Sequence, residues 1–408
     1  MQAEVIAIGD ELTSGQRLDT NSQWISRRLT DLGIRVLYHT TVGDDTEAGV
    51  NVFRHALHRA DLVVSTGGLG PTADDLTREA ISKAVGAELV LNQDALDHIR
   101  ELFTRRRYKM PERNVVQAMF PARSRVVPNP HGTAPGIDMD IPREDRKPAR
   151  LFALPGVPAE LRDMWHGTVE PAIIEWLGDD RRFIRHRLIK CFGAGESPIE
   201  KMLPDLIRRG RTPTVGITAT KATITLRITA EGATPEACDE GMEPTAATIR
   251  ECLGDLVFGE GDDELYHVVV RMLNGRQQTL ATVECGSGGR LAEWLSEADP
   301  AMETYLGGTI ARHPNVRARI AGESIEDETL VRAMASGCRD EYGADYALAL
   351  GPFPQGDDQG SAPGKVHFAV AGPDGVGTKT SLFAAHPDIR TPLAVKQALN
   401  FLRLKLMA

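Results

Sequence analysis

The chain has 408 residues, of which 41% are hydrophobic and 25% charged, and its formal net charge is −10 at pH 7. This length predicts about two to four domains, and the acidic balance argues against non-specific binding to nucleic acid or to an anionic membrane. Five widely spaced cysteines without a Cys-x-x-Cys pair indicate neither a disulfide framework nor a zinc site. Without a signal segment before the first predicted strand or a membrane-spanning run, we expect a cytoplasmic protein.

Predicted strands and helices alternate from the start of the chain. The first strand, residues 3–8, ends in Gly9-Asp10-Glu11, and the second, residues 34–42, leads into Gly43-Asp44-Asp45. Between them, N-cap residues at 19–21 start a predicted helix. This alternation predicts right-handed crossovers and a largely parallel sheet, and acids at the carboxyl ends of such strands lie where α/β sheets usually bind ligands.

A third predicted strand, residues 61–66, enters the segment Gly67-Gly-Leu-Gly-Pro-Thr-Ala-Asp-Asp75, and apolar residues at helical spacing follow it. Glycines leave room for backbone N–H groups to approach a phosphate, and the next helix would point its positive end at the same place. The segment is neither a Gly-x-Gly-x-x-Gly fingerprint nor a P-loop. The predicted phosphate-binding residues are Gly67, Gly68, Gly70, Pro71 and Thr72.

Two adjacent acids, Asp74 and Asp75, are predicted to lie in the first turn of that helix. Thr72 would be its N-cap, and Asp75, three residues on, would close a capping box. Carboxylates beside a bound phosphate would repel it unless a divalent cation lay between them. Taken alone, the pair is explained equally well as ordinary acidic caps of a helix start.

A fourth buried strand, residues 151–154, ends in Pro155-Gly-Val-Pro-Ala-Glu160, a further ligand-facing turn. In a parallel sheet the four turns would meet at one edge and bring their acids together. These acids could hold a metal, although we expect about half of them to be dispensable, since solvent-facing charge is the default state of an acid. The predicted neighbours are Asp10, Glu11, Asp44, Asp74 and Asp75.

Several ordered motifs in residues 3–175 resemble the N-terminal domain of the CinA family, which is similar to molybdopterin-binding proteins of molybdenum-cofactor synthesis. The motifs are Gly9-Asp-Glu-Leu-Thr-Ser-Gly15, Asp19-Thr-Asn21, Gly67 to Ala80, Asn129 to Gly136 and Pro155-Gly-Val-Pro158. The resemblance implies an α/β fold that binds a nucleotide or pterin phosphate, and a metal-dependent ADP-ribose pyrophosphatase. Family members usually carry a larger polar residue in place of Ala73, a departure that bears on ligand contacts and leaves the acids in place.

Guided by this resemblance, we expect Asp74, Asp75 and Asp10 to be catalytic and Asp74, Asp75 and Asp44 to bind metal, with Asn21 and Gly156 joining the phosphate-binding turn. The expected cofactor is a divalent cation, with potassium as a further candidate. The expected partners are a nucleotide or pterin phosphate and a second copy of the chain in a homodimer; neither a membrane nor a nucleic acid is expected. Which acid would act as the base stays open.

The middle of the chain follows a polar break at residues 178–182 and is predicted to be an α+β unit. Its predicted elements are a strand at 185–192, a helix through Ile199 and Leu206, two strands at 214–219 and 222–229, and a helix at 235–252. In CinA proteins this section resembles a KH-like module, but no Gly-x-x-Gly loop is present to clamp a nucleic-acid backbone. We therefore predict a spacer or dimerisation domain rather than an RNA-binding one.

The last section resembles the C-terminal nicotinamide mononucleotide amidohydrolase domain of the same family. Where the family has Glu-Ser-Cys-Thr-Gly-Gly, this chain has Glu284-Cys-Gly-Ser-Gly-Gly289, which places Cys285 at the serine nucleophile. In the same register Arg312 and Arg317 replace a tyrosine and a lysine, and arginine cannot lose a proton to act as a base. The family's Thr-Gly-Ile-Ala-Gly-Pro loop is replaced by Leu350-Gly-Pro-Phe-Pro354. We expect the fold to persist, the amidase chemistry to be lost and Cys285 to be inert.

The expected domains are residues 1–178, a parallel-sheet molybdopterin-binding-like domain; 179–260, a KH-like α+β domain; and 261–408, an α/β CinA domain. The leading hypothesis is hydrolysis of a nucleotide pyrophosphate, ADP-ribose by resemblance, in the first domain. One alternative is a non-catalytic nucleotide- or pterin-binding scaffold, which the degraded third domain favours. Another is an amidase that survives through Cys285.

Overall fold

The structure, a computed structural model, describes residues 1–144, 146–178, 181–208, 210–322, 327–354, 364–383 and 385–408. It divides into two compact units, Met1–Arg185 with Glu231–Asp239 and His186–Ala230 with Glu240–Ala408. Residues 179 and 180 of the predicted polar break lie outside the described ranges. Within those ranges, no helix has the length and apolar character needed to cross a membrane.

The first unit contains a six-stranded sheet with a parallel centre. Its strands in chain order are β1 Gln2–Ile8, β2 Arg35–Val42, β3 Leu62–Thr66, β4 Leu89–Leu91, β5 Met119–Pro121, β6 Arg125–Val127, β7 Gly136–Ile141 and β8 Ala149–Leu154. The sheet order is β2-β1-β3-β8-β7-β6, and β4 pairs with β5 separately. The predicted parallel arrangement of β2, β1, β3 and β8 is confirmed, and β7 and β6 extend it antiparallel.

Helices cover both faces of this sheet. They are α1 Asp10–Thr13, α2 Thr20–Asp31, α3 Thr46–Arg59, α4 Thr77–Val85, α5 Gln93–Arg105, α6 Pro158–Met164 and α7 Glu170–Leu177, with a 3-10 segment at Glu112–Ala118 and a π-helical turn at Trp165–Val169. The predicted N-cap of α2 is confirmed, because the Asp19 carboxylate accepts the N–H of Ser22 at 2.8 Å. Asp45 caps α3 in the same way through Ala48. Both helices therefore begin at the ligand-facing edge of the sheet.

Successive residues of β1 supply the two cores of this domain. Ile6 packs on one face with Phe53 of α3, and Val5 packs on the other face with Trp165; all four side chains are buried. This alternation follows from the two-residue repeat of a strand. Because both faces are covered, β3 is buried at every position, as expected for a parallel strand.

The middle section forms a four-stranded sheet flanked by helices. Its elements are β9 Phe183–Cys191, α8 Glu196–Met202, β10 Thr214–Thr220, β11 Thr223–Gly232, α9 Pro235–Leu253, a 3-10 turn Gly254–Leu256 and β12 Val257–Glu260. The strand order is β10-β11-β9-β12, and the predicted antiparallel pair β10–β11 is confirmed. The predicted helix through Leu206 is wrong, since α8 ends at Met202. Leu203 is extended because it precedes Pro204, which disfavours helical backbone in the residue before it.

The C-terminal section is an α/β sandwich. Its elements are α10 Leu265–Asn274, β13 Leu280–Glu284, α11 Arg290–Ala298, β14 Tyr305–Ile310, α12 Pro314–Ala321, α13 Asp327–Tyr342, β15 Tyr346–Leu350, β16 Lys365–Gly372, β17 Gly375–Leu382 and α14 Pro387–Met407. The sheet order is β14-β13-β15-β16-β17. The predicted passage from strand β13 through a glycine turn into helix α11 is confirmed.

Candidate functional site

A cleft of about 500 Å³ lies at the carboxyl ends of β1, β3 and β8, within the first unit. This volume falls in the range of small-molecule sites. Eight of the predicted site residues line it: Asp44, Gly67, Gly68, Gly70, Pro71, Asp74, Asp75 and Gly156. Asn21 lines a small adjoining recess, which shares Gly67 and Gly156 with the cleft. Asp10 and Thr72 are not part of this lining but are hydrogen-bonded to two residues that are, Asp44 and Asp75.

The turn after β3 has a backbone that requires glycine. Gly67 and Gly68 have φ of +108° and +63°, a region that other L-residues avoid. A Cβ at Gly67 would collide with the carbonyl oxygen of Ile8, and one at Gly68 with the hydroxyl of Thr77. Thr77 fixes the turn further by donating its hydroxyl to the Gly67 carbonyl at 2.9 Å. The backbone therefore passes close to β1 and to the start of α4, with no side chain in front of it.

Asp75 has a different position from the one predicted. Helix α4 begins at Thr77, and its N-cap, Leu76, makes no side-chain cap. The capping box and the placement of Asp74 and Asp75 in the first helical turn are therefore wrong. The Asp75 carboxylate turns back and accepts the N–H of Gly70 at 2.7 Å, the N–H of Thr72 at 2.8 Å and the Thr72 hydroxyl. It holds the turn closed, and it engages two of the N–H groups expected to bind phosphate.

Four other acids gather at one side of the cleft. The carboxylate of Asp10 accepts the N–H of Asp44, and the carboxylate of Asp44 accepts the N–H of Asp10, both at 3.0 Å. Burial raises the pKa of Asp44, and the negative charges of Asp10, Asp74 and Glu11 raise it further, against a backbone hydrogen bond that lowers it. Acids from the loops after β1, β2 and β3 therefore lie close enough for their negative charges to affect one another.

Asp74 is the exposed member of this group. The Thr72 hydroxyl, which Asp74 shares with Asp75, and the backbone N–H of Asp74 hold the pKa of its carboxyl below the usual value, so it is ionised at neutral pH. Oxygen donors of this kind suit a hard cation such as Mg²⁺. In the described part of the chain, no three His, Cys, Asp or Glu side chains are placed to hold a metal by themselves. Since Mg²⁺ is commonly held by one or two carboxylates together with water and substrate phosphates, the acids fit a cation shared with a phosphate ligand.

Asn21 connects the loops around the glycine turn. Its Nδ2 donates to the Thr66 hydroxyl at 3.0 Å and to the Gly156 carbonyl at 2.9 Å. The Thr66 hydroxyl in turn donates to the Pro155 carbonyl at 3.1 Å. The start of α2 is thereby fixed to the ends of β3 and β8, so Asn21 shapes the recess from which a ligand would be held.

Two residues that line the cleft, Arg17 and Glu160, were not among the site residues predicted from the sequence. Arg17 borders both the cleft and the recess, and among the described lining residues it is the one with a cationic side chain. Glu160 lines the opposite wall and accepts Nδ2 of Asn129 at 2.8 Å. The signal for Arg17 was its place between Gly15 and Asp19, two motifs that flank it in the sequence.

The glycine turn of the C-terminal section is closed. The buried Glu284 carboxylate accepts the N–H groups of Leu291 and Ala292 at the start of α11, together with the Ser287 hydroxyl. The ring of Phe353 lies against Gly286, where a Cβ would collide with it. The N–H groups that would stabilise an anion at this helix are therefore already occupied.

Cys285 lies in the core beneath this turn. Its thiol is 3.8 Å from the sulfur of Met334, and burial raises its pKa to about 11, although the charge of Arg317 acts in the opposite direction. Arg312 is exposed. The predicted inert character of Cys285 agrees with a thiol that stays protonated at neutral pH.

Comparison with known families divides the chain into three consecutive parts. Residues 4–175 match the family described as "Probable molybdopterin binding domain", residues 186–259 the KH domain of damage-inducible protein CinA, and residues 262–406 the CinA C-terminal domain. The fold and motifs thus define a protein with a molybdopterin-binding-type domain, a KH-type domain and a CinA domain.

Relatives of this chain align with it over nearly its whole length. A CinA-like protein of Frankia casuarinae is 36% identical over 99% of this chain and 96% of its own length, and a competence-damage inducible protein of Bacillus velezensis is 34% identical over 91% and 90%. The crystal structure of CinA from Thermoplasma acidophilum, a protein of unknown function, is 37% identical and covers 42% of this chain and 98% of its own, with a TM-score of 0.38. The chain belongs to the CinA family, as the motifs predicted.

Proposed function

We propose that the first domain hydrolyses a nucleotide pyrophosphate in the presence of a divalent cation, with ADP-ribose as the expected substrate. The supporting observation is the single cleft that brings a side-chain-free glycine turn and four carboxylates from three different loops to one edge of the sheet. A turn of this kind at a helix start suits phosphate, and the acids suit the cation that phosphate brings with it.

The chain's own groups divide the work between binding and proton transfer. The turn would bind a phosphoryl group through its backbone at Gly68, since the N–H of Gly67 already donates to the Leu154 carbonyl at 3.0 Å. Asp75 keeps the turn in shape through Gly70 and Thr72. Asp74, exposed and ionised, would face the cation together with Asp10. A divalent cation, when bound, neutralises phosphate charge and polarises a phosphoryl oxygen.

Asp44 is the acid we assign as the general base. It is the cleft carboxylate whose pKa is raised, by burial and by its acidic neighbours, and a raised proton affinity is what a base in a site of this kind needs. It would take the proton of the attacking water. The new bond joins the water oxygen to one phosphorus, the bridging P–O bond breaks, and ADP-ribose yields AMP and ribose 5-phosphate.

A second candidate function is a non-catalytic nucleotide or pterin scaffold. The scaffold is favoured because the Asp75 carboxylate is occupied by the N–H groups of Gly70 and Thr72. The described residues also offer no complete metal cage made of protein side chains alone. In that case the cleft would bind the phosphate without activating water.

The test uses purified full-length protein with ADP-ribose, with and without Mg²⁺, and measures AMP. We expect turnover that depends on the cation and falls at least about a hundredfold in Asp44→Asn. Asp94→Asn, which changes an exposed acid of α5 away from the cleft, is the matched control and should retain full activity. Saturable binding of ADP-ribose without product would support the scaffold, and neither binding nor turnover would remove both functions.

For the C-terminal domain we propose that deamidation of nicotinamide mononucleotide has been lost. The support is the protonated thiol of Cys285, the Glu284 carboxylate on the α11 N–H groups, and the Phe353 ring against Gly286. Ammonia release from nicotinamide mononucleotide by the wild type, abolished in Cys285→Ala, would show the opposite.

The homodimer stays a prediction, carried over from the family. Light scattering of the full-length chain at several concentrations measures its mass directly. A mass of 44.4 kDa, that of one chain, at all concentrations would exclude it.

A further inference from the structure

A buried arginine lies directly behind the glycine turn. Arg78, in the first turn of α4, is 3% exposed. Its Nη1 donates to the carbonyl oxygen of Leu69 at 2.8 Å, and its Nη2 to that of Pro135 at 3.4 Å. Its buried Nε has no hydrogen-bond partner among the described residues. The guanidinium thus connects two loops, and each loop contributes a residue to the cleft wall, Leu69 in one and Ala134 in the other.

The charge of Arg78 has no carboxylate bound to it among the described residues. Its two hydrogen bonds go to neutral carbonyls, and the acid nearest in effect, Asp75, is engaged with Gly70 and Thr72. Burial lowers the pKa of Arg78 to about 10, so it remains charged at pH 7. Buried charges in proteins are normally paired, and among the described residues Arg78 has only the charge of Asp75 acting on it, without a hydrogen bond between them.

We propose that Arg78 is the fixed cation of the anion-binding cleft, and that its charge is balanced by a phosphate of the ligand rather than by a side chain. This inference rests on the function proposed above, because it concerns the same cleft. Arg78 is a positioning residue: it is too buried to touch the ligand, and it acts through its field and by holding the two loops. A charge in the low-dielectric interior acts over several ångströms and is screened little by salt.

Negative and positive side chains lie at different places around the cleft, and this arrangement distinguishes the role of Arg78 from that of the acids. The acids Asp44 and Asp74 line the cleft and would repel a phosphate, whereas Arg78 lies behind the turn and would attract it. Arg17, the cation of the cleft lining, is exposed, so its attraction should weaken with salt. Arg78 therefore supplies the part of the affinity for phosphate that persists at high ionic strength.

The experiment is calorimetric titration of the full-length protein with inorganic pyrophosphate in Mg²⁺ buffer, at low and at high salt. Arg78→Met removes the charge at similar volume, Arg78→Lys keeps the charge, and Arg100→Met removes an exposed charge of α5 as the control. We expect Arg78→Met to bind about tenfold more weakly at both salt concentrations, equivalent to about 1.4 kcal/mol. Arg78→Lys keeps a cationic group but loses the two-armed contact with the carbonyls, so it should lose less affinity than Arg78→Met, and Arg100→Met should be unchanged.

Each result distinguishes this inference from the proposed function. Wild-type affinity in Arg78→Met would overturn the role of Arg78 and leave the proposed function standing. Equal losses of affinity in Arg78→Met and Arg78→Lys would do the same, because they would show that Arg78 acts by connecting the two loops and not through its charge. No binding of pyrophosphate by the wild type would overturn the role of Arg78, whereas the proposed function is decided separately by the turnover of ADP-ribose. If Arg78→Met fails to fold, Arg78→Gln takes its place. If both fail, the ¹⁵N resonance of the Arg78 Nε in the wild type decides: a shift on saturation with pyrophosphate supports the proposal, and none overturns it.

Discussion

Two turns in this chain share the same order of strand, glycine turn and helix, and in each an acidic side chain binds backbone N–H groups. After β3, Asp75 holds Gly70 and Thr72 and leaves a cleft of about 500 Å³ in front of the turn. After β13, Glu284 holds the start of α11, and Phe353 fills the space against Gly286.

The difference between the two turns lies in where the acid binds. Asp75 engages the loop itself and leaves the space in front of Gly67 and Gly68 open, although the N–H of Gly67 already donates to the Leu154 carbonyl at 3.0 Å. Glu284 engages the N-terminus of the helix, which is the anion-binding end of the motif. A glycine turn thus predicts a ligand site only when neighbouring side chains leave the space in front of it open.

The largest effect is expected from adding one methyl group to the first turn. Gly67→Ala combines left-handed backbone strain of about 1–2 kcal/mol with overpacking of about 1–3 kcal/mol, because its Cβ would meet the Ile8 carbonyl. Gly288→Ala, at φ +67° with open space around it, should carry the strain alone. Urea unfolding followed by tryptophan fluorescence compares them, and equal losses would contradict the close approach of Gly67 to β1.

Removal of the two acids should separate stability from binding. Asp75→Ala and Glu284→Ala each leave two N–H groups without acceptors, which costs about 1–3 kcal/mol of the free energy of unfolding. Only Asp75→Ala should also weaken pyrophosphate binding, by at least about tenfold, because the free turn would lose its shape. Calorimetry on both variants checks this. Weakened binding of pyrophosphate in Glu284→Ala would show that the anion binds at the turn after β13 instead of the turn after β3.

A smaller effect concerns pH and Asp44. Because its pKa is raised in the folded protein, the folded state holds the proton more tightly than the unfolded state. Its contribution to stability is therefore full below the ordinary value of 3.8 and is lost as the pH rises through the raised pKa. Asp44→Asn should consequently melt at a higher temperature than the wild type at pH 7 without added cation, and the difference should vanish in acid. Melting curves from pH 3 to pH 8 measure it, and a lower melting temperature at pH 7 would show that the acids do not repel one another.

The smallest change is expected at the closed turn. With a pKa of about 11, Cys285 has about one thiolate per thousand molecules at pH 8, so iodoacetamide should modify it far more slowly than a free cysteine. Phe353→Ala should speed this modification by exposing Gly286, without producing ammonia from nicotinamide mononucleotide. Mass spectrometry of the labelled peptide follows the rate. Rapid labelling of the wild type would show the turn to be open.

Much of the fold was predictable, because the signals are local. Buried runs such as residues 61–66 and the caps at Asp19 and Asp45 are read from adjacent residues, and the motifs around them identified the family. The antiparallel β7 and β6 were not assigned, since their pairing depends on partners distant in sequence. The end of α8 at Met202 was overlooked for a different reason, because the apolar spacing through Leu206 was followed past Pro204, the local signal that ends the helix.

The site was predicted as a set of residues more accurately than as a set of contacts. That Asp44, Asp74 and the glycine turn would meet followed from strands ending at one edge. The contacts of Asp75 did not follow, because the same spacing from Thr72 fits both a capping box and a loop that folds back. Arg78 gave no signal in the sequence, since an arginine on a helix is normally solvated, and only its burial behind the turn sets it apart.

The hydrogen bond from Asn21 to the Gly156 carbonyl joins residues 135 positions apart. Loop closure over such distances is slow compared with the formation of local helices. During synthesis, the recess beside the glycine turn therefore cannot assemble until the ribosome has released the segment that follows β8. A truncated chain that stops before that segment would contain the cleft acids from Asp10 to Asp75 but neither Glu160 nor the wall at Gly156 against which a phosphate could be held.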